Sequence, residues 1–454
     1  MKIEQFYDKN LSHYSYAILS ECKLEMVLID PARDPQPYYD FAQAHQAKII
    51  GVIETHPHAD FVSSHLQIHQ QRGAKIFVSE KMSPDFSFVA FDEGAVIEFG
   101  KIKLKAINTP GHSPDSISVV LEHNGIDKAV FTGDTLFIGD CGRPDLREQG
   151  ESLDLKREEL AKKMYRSLRN KLMKLDDQVI VYPAHGAGTL CGKALSKANS
   201  STIGQEKSTN WSLQEMYETE FVAALTADQP FIPKYFPYDV DLNKKGAPLL
   251  KESLEKIIVL QKIDHSEKAA LLDPQITIID TRNSESYKKQ HLKNAINIMD
   301  GEKFETWLGT LVSPGDLFYL AAANDEALPV LMARIAKIGY EPFIKGAFVL
   351  DMGDETSDLL NLEEFKADPS AYTIVDIRNE SEVKEQPVFK QSINIPLPEL
   401  NKRFGEIPTD KPIVVHCAGG YRSAAGSSLL ENKLNTKVFD LSDHIKEFMS
   451  SYLF

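Results

Sequence analysis

The sequence predicts an α/β chain of several layered domains, and three observations lead there. At 454 residues the chain is too long for one ordinary core and suggests two to four domains. Its first 200 residues alternate short runs rich in Val, Ile and Phe with turns and helical stretches. Further on the chain repeats itself: ITIIDTRNSESY at 276–287 matches YTIVDIRNESEV at 372–383, an offset of 96 (372 − 276).

Taken in order, AKIIGVIETH, AKIFVSE, AVIEFG, KIKLKAINTPGH, SISVVLEH and KAVFTGDTLF read as successive strands. Leu153, Leu160, Met164, Leu168 and Leu172 are spaced to predict an amphipathic helix, and QVIVYPAHG then reads as one more strand. The Pro-, Gly- and Asn-dense stretch at 228–248 reads as an exit linker. The expected domains are 1–245, 246–357 and 358–454. The last two are the repeat units, each the size of a small α/β domain and so a duplication instead of a solenoid. At the offset of 96, Cys417 aligns with Ala321 and Arg422 with Glu326, so only the second copy keeps a nucleophile.

A formal charge of −15 argues against a general nucleic-acid binder, which needs a basic face. The N-terminal MKIEQFYDKNLSHYSYAIL lacks the pattern of a signal peptide, and no run of about 18 apolar residues appears, so no membrane association is expected. Cys22, Cys141, Cys191 and Cys417 are too widely spaced for a disulfide framework, which favours a reducing cytoplasmic setting. Cys22 lies near an early strand and reads as core; Cys141 stands beside the CGRPD turn.

The chemistry-bearing stretches of the first 200 residues are ETHPHADF (54–61), TPGHSPDS with His112, FTGDTLFIGD with Asp134, YPAHG with His185, and CGRPD with Arg143 and Asp145. His112, Asp134 and His185 each follow a predicted strand in a Gly- or Pro-rich turn, where layered α/β folds assemble their sites. Imidazole and carboxylate donors suit zinc, iron or manganese. His65 and His69, four apart on a predicted helix, mimic a ligand pair but lie outside this set.

These motifs, in this order, resemble the metallo-β-lactamase superfamily in its glyoxalase II-like branch, over about residues 1–240. The resemblance implies an αββα sandwich, followed here by two rhodanese-like α/β domains. Two-metal hydrolases of that superfamily read THxHxDH. The last histidine of that motif is Phe61 here, so a second cation held by Asp60 and His185 alone is not expected. ETHPHADF, TPGHSPDS, TGDTLFIG and the GRPD turn resemble persulfide dioxygenases most. That family implies one Fe(II) per chain on His56, His112 and Asp134, with His58, Asp60 and His185 orienting the ligands from behind. Zinc, with glyoxalase II-like thioester hydrolysis, is the alternative. Arg143 is the candidate to clamp an anionic group of a thiol cofactor, against a plain ion pair with Asp140 or Asp145. Cys191, just past the PAHG histidine, could relay sulfur or be an inert small apolar residue.

VVHCAGGYRSAAGSSLL places Cys417 after an apolar strand, then a Gly-rich turn and a helix. Backbone N–H groups, the positive helix end and Arg422 would all favour a thiolate there. The loop resembles that of cysteine phosphatases too, but their arginine comes one residue later. With Asp376 and Arg378 of VDIR and the SINIP segment, it resembles a rhodanese domain over about 358–454. Cys417 would then accept a sulfane sulfur, Arg422 would be the loop arginine, and Asp376 and Arg378 would brace the fold. The whole chain resembles a persulfide dioxygenase fused to a tandem rhodanese. That implies O2 and a low-molecular-weight persulfide (of glutathione, coenzyme A or bacillithiol type) as substrates, with sulfite and thiosulfate as products or partners. A homo-oligomer, dimer or tetramer, is expected.

Overall fold

Tyr14, Tyr16 and Ile18 alternate with Ala17 and Leu19 along His13–Ser20, and all five are buried. A strand apolar on both faces must be covered on both. The structure, a computed structural model, describes residues 1–144, 153–193 and 195–449. Asp145 lies outside the described residues. The described residues form two units, one comprising Met1–Glu252 with Ala336–Gly339, the other the remainder from Ser253.

In the first unit, β1 (Lys2–Asp8), β2 (His13–Ser20), β3 (Glu25–Ile29), β4 (Lys48–Ile53), β5 (Lys75–Val78) and β6 (Val89–Ala90) form one sheet in that order. A second sheet holds β7 (Val96–Phe99), β8 (Ile102–Asn108), β9 (Ile117–His123), β10 (Ile126–Gly133), β11 (Ile180–Pro183) and β12 (Ser201–Thr202), again in sequence order. Tyr16, Ile18, Val27 and Ile53 of the first sheet meet Leu104, Val119, Leu121 and Phe131 of the second in one core. The outer face of the first sheet is covered by Tyr38, Ala42 and Ile68 from two helices. That of the second is covered by Ala161, Met164 and Leu168 of Leu153–Asn170 and by Phe221 of Glu218–Thr226. This is the expected αββα sandwich.

Two expectations are overturned. The stretch 228–248 is not a plain linker: it contains the helix Phe236–Lys245, with Phe236, Val240 and Asn243 buried. Proline in the first turn is compatible with a helix, because an N–H there has no intrahelical acceptor to lose. Cys22 is exposed and not core. It sits where the chain turns between β2 and β3, flanked by exposed Glu21 and Lys23.

The second unit holds two parallel four-stranded sheets of identical order. They are β14 (Ala295–Asn297), β13 (Thr277–Asp280), β15 (Phe318–Ala322), β16 (Ile344–Val349), and β18 (Ile393–Asn394), β17 (Thr373–Asp376), β19 (Ile413–His416), β20 (Val438–Asp440). Arg282 forks onto Asp280 and Arg378 onto Asp376, each pair buried at a strand end. The register corrects the sequence alignment. Asp376 pairs with His416 while Asp280 pairs with Ala321, so Cys417 corresponds to Ala322 and, in the same register, Arg422 to Ala327. One residue fewer separates the paired strands in the second copy; in the corrected register the first copy has alanine at both positions, and Glu326 no longer faces Arg422.

The helix Tyr421–Glu431 is bonded to the first repeat: Ser428 Oγ accepts from the Asn297 N–H at 2.9 Å, and Asn432 donates to the Ala295 carbonyl at 2.8 Å. Near its end, burial pushes the Glu431 carboxyl up to about 7, while Ser357 and Lys288 oppose it only in part. Between the ordinary glutamate value and 7 the folded state holds the extra proton, so this group lowers stability as pH rises through that window. Glu431→Gln should therefore unfold at the parent's temperature near about pH 4 and at a higher one at about pH 8, read by scanning calorimetry.

Candidate functional site

The four loops singled out by sequence all leave C-terminal strand ends of the sandwich: β4 leads to His56, β8 to His112, β10 to Asp134 and β11 to His185. All four side chains are buried. His56 Nε2 lies 3.8 Å and His112 Nε2 3.5 Å from Asp134 Oδ2. The tautomers follow from the partners on the far nitrogens. The Thr55 hydroxyl donates to Asp30 Oδ2 at 2.8 Å, so toward His56 Nδ1, 3.0 Å away, it acts as acceptor. His112 Nδ1 meets the Arg143 carbonyl at 2.8 Å, which only accepts. In the neutral imidazoles both Nδ1 atoms therefore carry the proton, which leaves each Nε2 lone pair facing a carboxylate oxygen.

Among the described residues no hydrogen bond reaches either oxygen of Asp134. A buried carboxylate facing two lone pairs is a poor arrangement unless a cation lies between them. The donor set of two imidazoles and one carboxylate fits a metal, and their ligand atoms lie within 4.8 Å of one another.

His58 faces elsewhere. Its Nε2 lies 3.1 Å from Asp30 Oδ1 and 3.4 Å from Glu54 Oε2. Burial alone would depress it, but the two carboxylates overcome this and hold it at about 10. It is thus the cation of a buried cluster behind the site. Phe61 packs against the rings of both His13, at 3.8 Å, and His58, at 4.2 Å. His65 is buried 3.6 Å from Glu54, and His69 Nδ1 bonds the Ala74 carbonyl, so the two do not form a ligand pair.

On the other side of Asp134, His185 Nε2 is 3.4 Å from Oδ1 and 3.3 Å from Asp60 Oδ2. Burial pushes the Asp60 carboxyl up against the pull of His185. Cys191 is buried beside them, and burial followed by the charges of Asp60 and Asp134 push its thiol well above the ordinary range. Arg143 ties these loops together: its N–H donates to the Cys191 carbonyl at 2.9 Å and its guanidinium to the Leu190 carbonyl at 3.3 Å. Gly142 passes so close to the Asp134 carbonyl that any Cβ would overlap it, which requires glycine in the CGRPD turn. Cys141 is buried in the core between the second sheet and its helices.

At the other candidate, Cys417 is 1% exposed, and the Gly420 N–H donates to its Sγ at 3.2 Å. Gly420 has φ +95, a conformation open to glycine, and starts the helix Tyr421–Glu431 directly behind the sulfur. Arg422 is not an open clamp: its guanidinium forks onto Glu382 at 2.6 and 2.7 Å and lies 5.9 Å from the Trp307 ring of the first repeat. Burial lowers His416 to about 4, so it stands neutral beneath the loop at physiological pH.

Residues 24–185 match the metallo-beta-lactamase superfamily, and 264–353 and 358–451 each match the rhodanese-like domain. A metallo-beta-lactamase from Staphylococcus aureus subsp. aureus COL has 31% sequence identity and a TM-score of 0.66, covering 77% of this chain and 99% of its own. The chain belongs to the metallo-β-lactamase superfamily. Its metallo-β-lactamase domain is joined to a tandem pair of rhodanese-like domains. The chain is 28% identical over 245 residues to the mitochondrial persulfide dioxygenase ETHE1 of Mus musculus, covering 53% of this chain and 85% of that protein. It is 32% identical over 176 residues to the cytoplasmic hydroxyacylglutathione hydrolase of Arabidopsis thaliana, covering 38% and 63%. Among the described residues no helix is long and apolar enough to cross a membrane.

Sequence reading missed two residues that build this metallo-β-lactamase site. Asp30 accepts from Thr55 and pairs with His58; the signal was available, since it follows the apolar run MVLI as the other site residues follow theirs. Asn243 had no local signal. Its side chain donates to the carbonyls of His58 (2.9 Å) and Phe61 (2.8 Å) and accepts from the Ser63 N–H (2.8 Å), so it clamps the whole HPHADF loop. Asn243→Ala would leave three buried backbone groups unpaired, an expected loss of about 2–4 kcal/mol. Chemical unfolding of the parent and the variant, with metal retention on dialysis, checks it.

Proposed function

We propose that this chain is a non-haem Fe(II) persulfide dioxygenase joined to a rhodanese sulfurtransferase. The observation that carries the reading is the orientation of His58. With its Nε2 committed to Asp30 and Glu54, the donors that converge are two histidines and one carboxylate, His56, His112 and Asp134. A three-histidine set, as zinc hydrolysis would use, would require His58 to turn. The similarity to persulfide dioxygenases supports the same assignment.

One iron per chain held there would supply a redox-active centre with positions open to O2 and to a sulfur ligand. The chain's own residues set the surroundings. Thr55 and the Arg143 carbonyl fix the imidazole tautomers, Asp134 carries the negative charge, and Phe61 replaces a polar side chain with an apolar ring. Asp60, His185 and Asp30 orient the loops from behind. The overall balance is RSSH, O2 and water to RSH, sulfite and two protons. RSSH is a low-molecular-weight persulfide of the glutathione, coenzyme A or bacillithiol class.

At Cys417 the thiolate attacks a sulfane sulfur, forms an S–S bond and expels the donor's thiolate or sulfite. The outer sulfur is then passed to an acceptor, and sulfite as acceptor yields thiosulfate while the Cys417 thiolate is regenerated. Gly420 N–H and the helix start favour the anionic sulfur. Arg422, fixed by Glu382, shapes the loop and adds positive charge. The first repeat, with alanine at the matching positions, is an inactive partner of the second. Cytoplasmic detoxification of persulfides is the role these activities fit.

The test is O2 consumption by the anaerobically iron-loaded chain when glutathione persulfide or coenzyme A persulfide is added, with metal content and sulfite measured on the same sample. O2 uptake matched one-to-one by sulfite is the expected result. Zinc with thioester cleavage and no O2 uptake would instead establish a hydrolase of the hydroxyacylglutathione hydrolase type.

A further inference from the structure

Two arginines stand in the strand-end loops around Cys417, and each is matched by a carboxylate. Arg378 forks onto Asp376 at 2.6–3.1 Å and donates to the Gln386 carbonyl at 3.0 Å. Arg422 presents its two terminal nitrogens to Glu382, one to each carboxylate oxygen, at 2.6 and 2.7 Å. Glu382 is pinned in turn, because its Oε2 accepts the Asn379 N–H at 3.0 Å. The side chains of Arg422 and Glu382 are 14% and 34% exposed, so water screens the pair only in part.

This pair lies close to the sulfur. Burial disfavours the Arg422 charge, but Glu382 first and then the Cys417 thiolate more than restore it. Arg422 thus places positive charge near Cys417, while Glu382 fills the edge that would take up an oxyanion bidentately. Loading of the sulfur has two forms. With thiosulfate, the Cys417 thiolate bonds to the outer sulfur and expels sulfite as a dianion, so three negative charges meet at the loop. With a persulfide RSSH, the thiolate takes the outer sulfur and expels RS−, and a single negative charge meets a neutral group. Like charges that meet without a free counter-charge repel most strongly where water is scarce.

We infer that Glu382 is a specificity-determining residue: by occupying Arg422 it selects persulfide donors over thiosulfate at Cys417. The selection works by repulsion as much as by attraction, since the Glu382 carboxylate holds the place that a sulfonate would need. It also gives the transfer a preferred use, because a loop that binds thiosulfate poorly as a donor releases it readily as a product when sulfite is the acceptor. The inference deepens the sulfur-transfer reading of Cys417 and rests on it.

The experiment loads the full chain with sulfur under anaerobic conditions, so that no persulfide is oxidised, from either thiosulfate or glutathione persulfide. Quenched samples are digested, and the gain of one sulfur on the Cys417 peptide is followed by mass, giving a rate constant and a half-saturating concentration for each donor. In Glu382→Gln the thiosulfate-to-persulfide ratio of these efficiencies should rise at least about 10-fold, the worth of one freed charge-assisted contact. The gain should come from a lower half-saturating concentration of thiosulfate, shrink with added salt, and vanish in Glu382→Gln/Arg422→Met. An unchanged ratio, or the same factor on both donors, overturns the inference while the sulfur-transfer reading stands. A ratio still raised in the double variant overturns it too, because Arg422 would then have no part in it. A parent loaded by neither donor removes the sulfur-transfer reading and this inference with it. Should Glu382→Gln not fold, Glu382→Ala must raise the ratio in the same direction, and an unchanged ratio there refutes the role.

Discussion

Replacing His112 by alanine should abolish O2 uptake by the iron-loaded chain and leave sulfur transfer at Cys417 intact. The expected loss exceeds about 100-fold, the upper range for a group that only orients a metal ligand. The reason is geometric. His112 supplies one of two neutral Nε2 lone pairs facing Asp134 Oδ2, and its far nitrogen is anchored on the Arg143 carbonyl, so no neighbour takes its place. Thr55→Ala gives the internal comparison. It removes only the hydroxyl that sets the His56 tautomer, so a loss of about 10–100-fold is expected. Iron content and O2 uptake on both variants check the ranking. Equal losses, or retained uptake in His112→Ala, would remove the triad from the mechanism.

Cys417→Ser should reduce transfer of sulfane sulfur from thiosulfate to cyanide to background, with O2 uptake on added persulfide unchanged. Serine fits the same buried position, 1% exposed, and can accept the Gly420 N–H. Its hydroxyl stays protonated at neutral pH and has no sulfur with which to form a persulfide. The loop's supports are untouched, because Arg422 is held by Glu382 and the Asp376–Arg378 fork lies beneath. Stopped-assay transfer rates and O2 uptake on one preparation separate the two activities. Loss of both in Cys417→Ser would mean that the persulfide oxidised at the metal is made on this cysteine.

Much of this was legible because strand patterning and turn chemistry are local. Strands ending in ETH, TPGH, TGD and PAH put His56, His112, Asp134 and His185 at one end of the sandwich. The repeat disclosed two rhodanese-like copies. The one-residue shift that moves the partner of Cys417 from Ala321 to Ala322 was hidden, because only strand pairing fixes register. Asn243 was hidden for a different reason: its hydrogen bonds to His58 and Phe61 span more than 180 residues, and nothing in the Pro- and Gly-dense stretch around it signals a helix.

The sequence by itself determined which donors are available, that they sit at strand ends, that one repeat carries the cysteine, and that an apolar ring closes ETHPHADF. Tertiary structure decided which way each donor faces. His58 turned to Asp30 and Glu54, Arg422 to Glu382, and Cys191 to Asp60 and His185. The physical reason is that a buried charge or lone pair must be satisfied by whatever the packed neighbours offer, and those neighbours come from distant loops whose meeting no local pattern encodes.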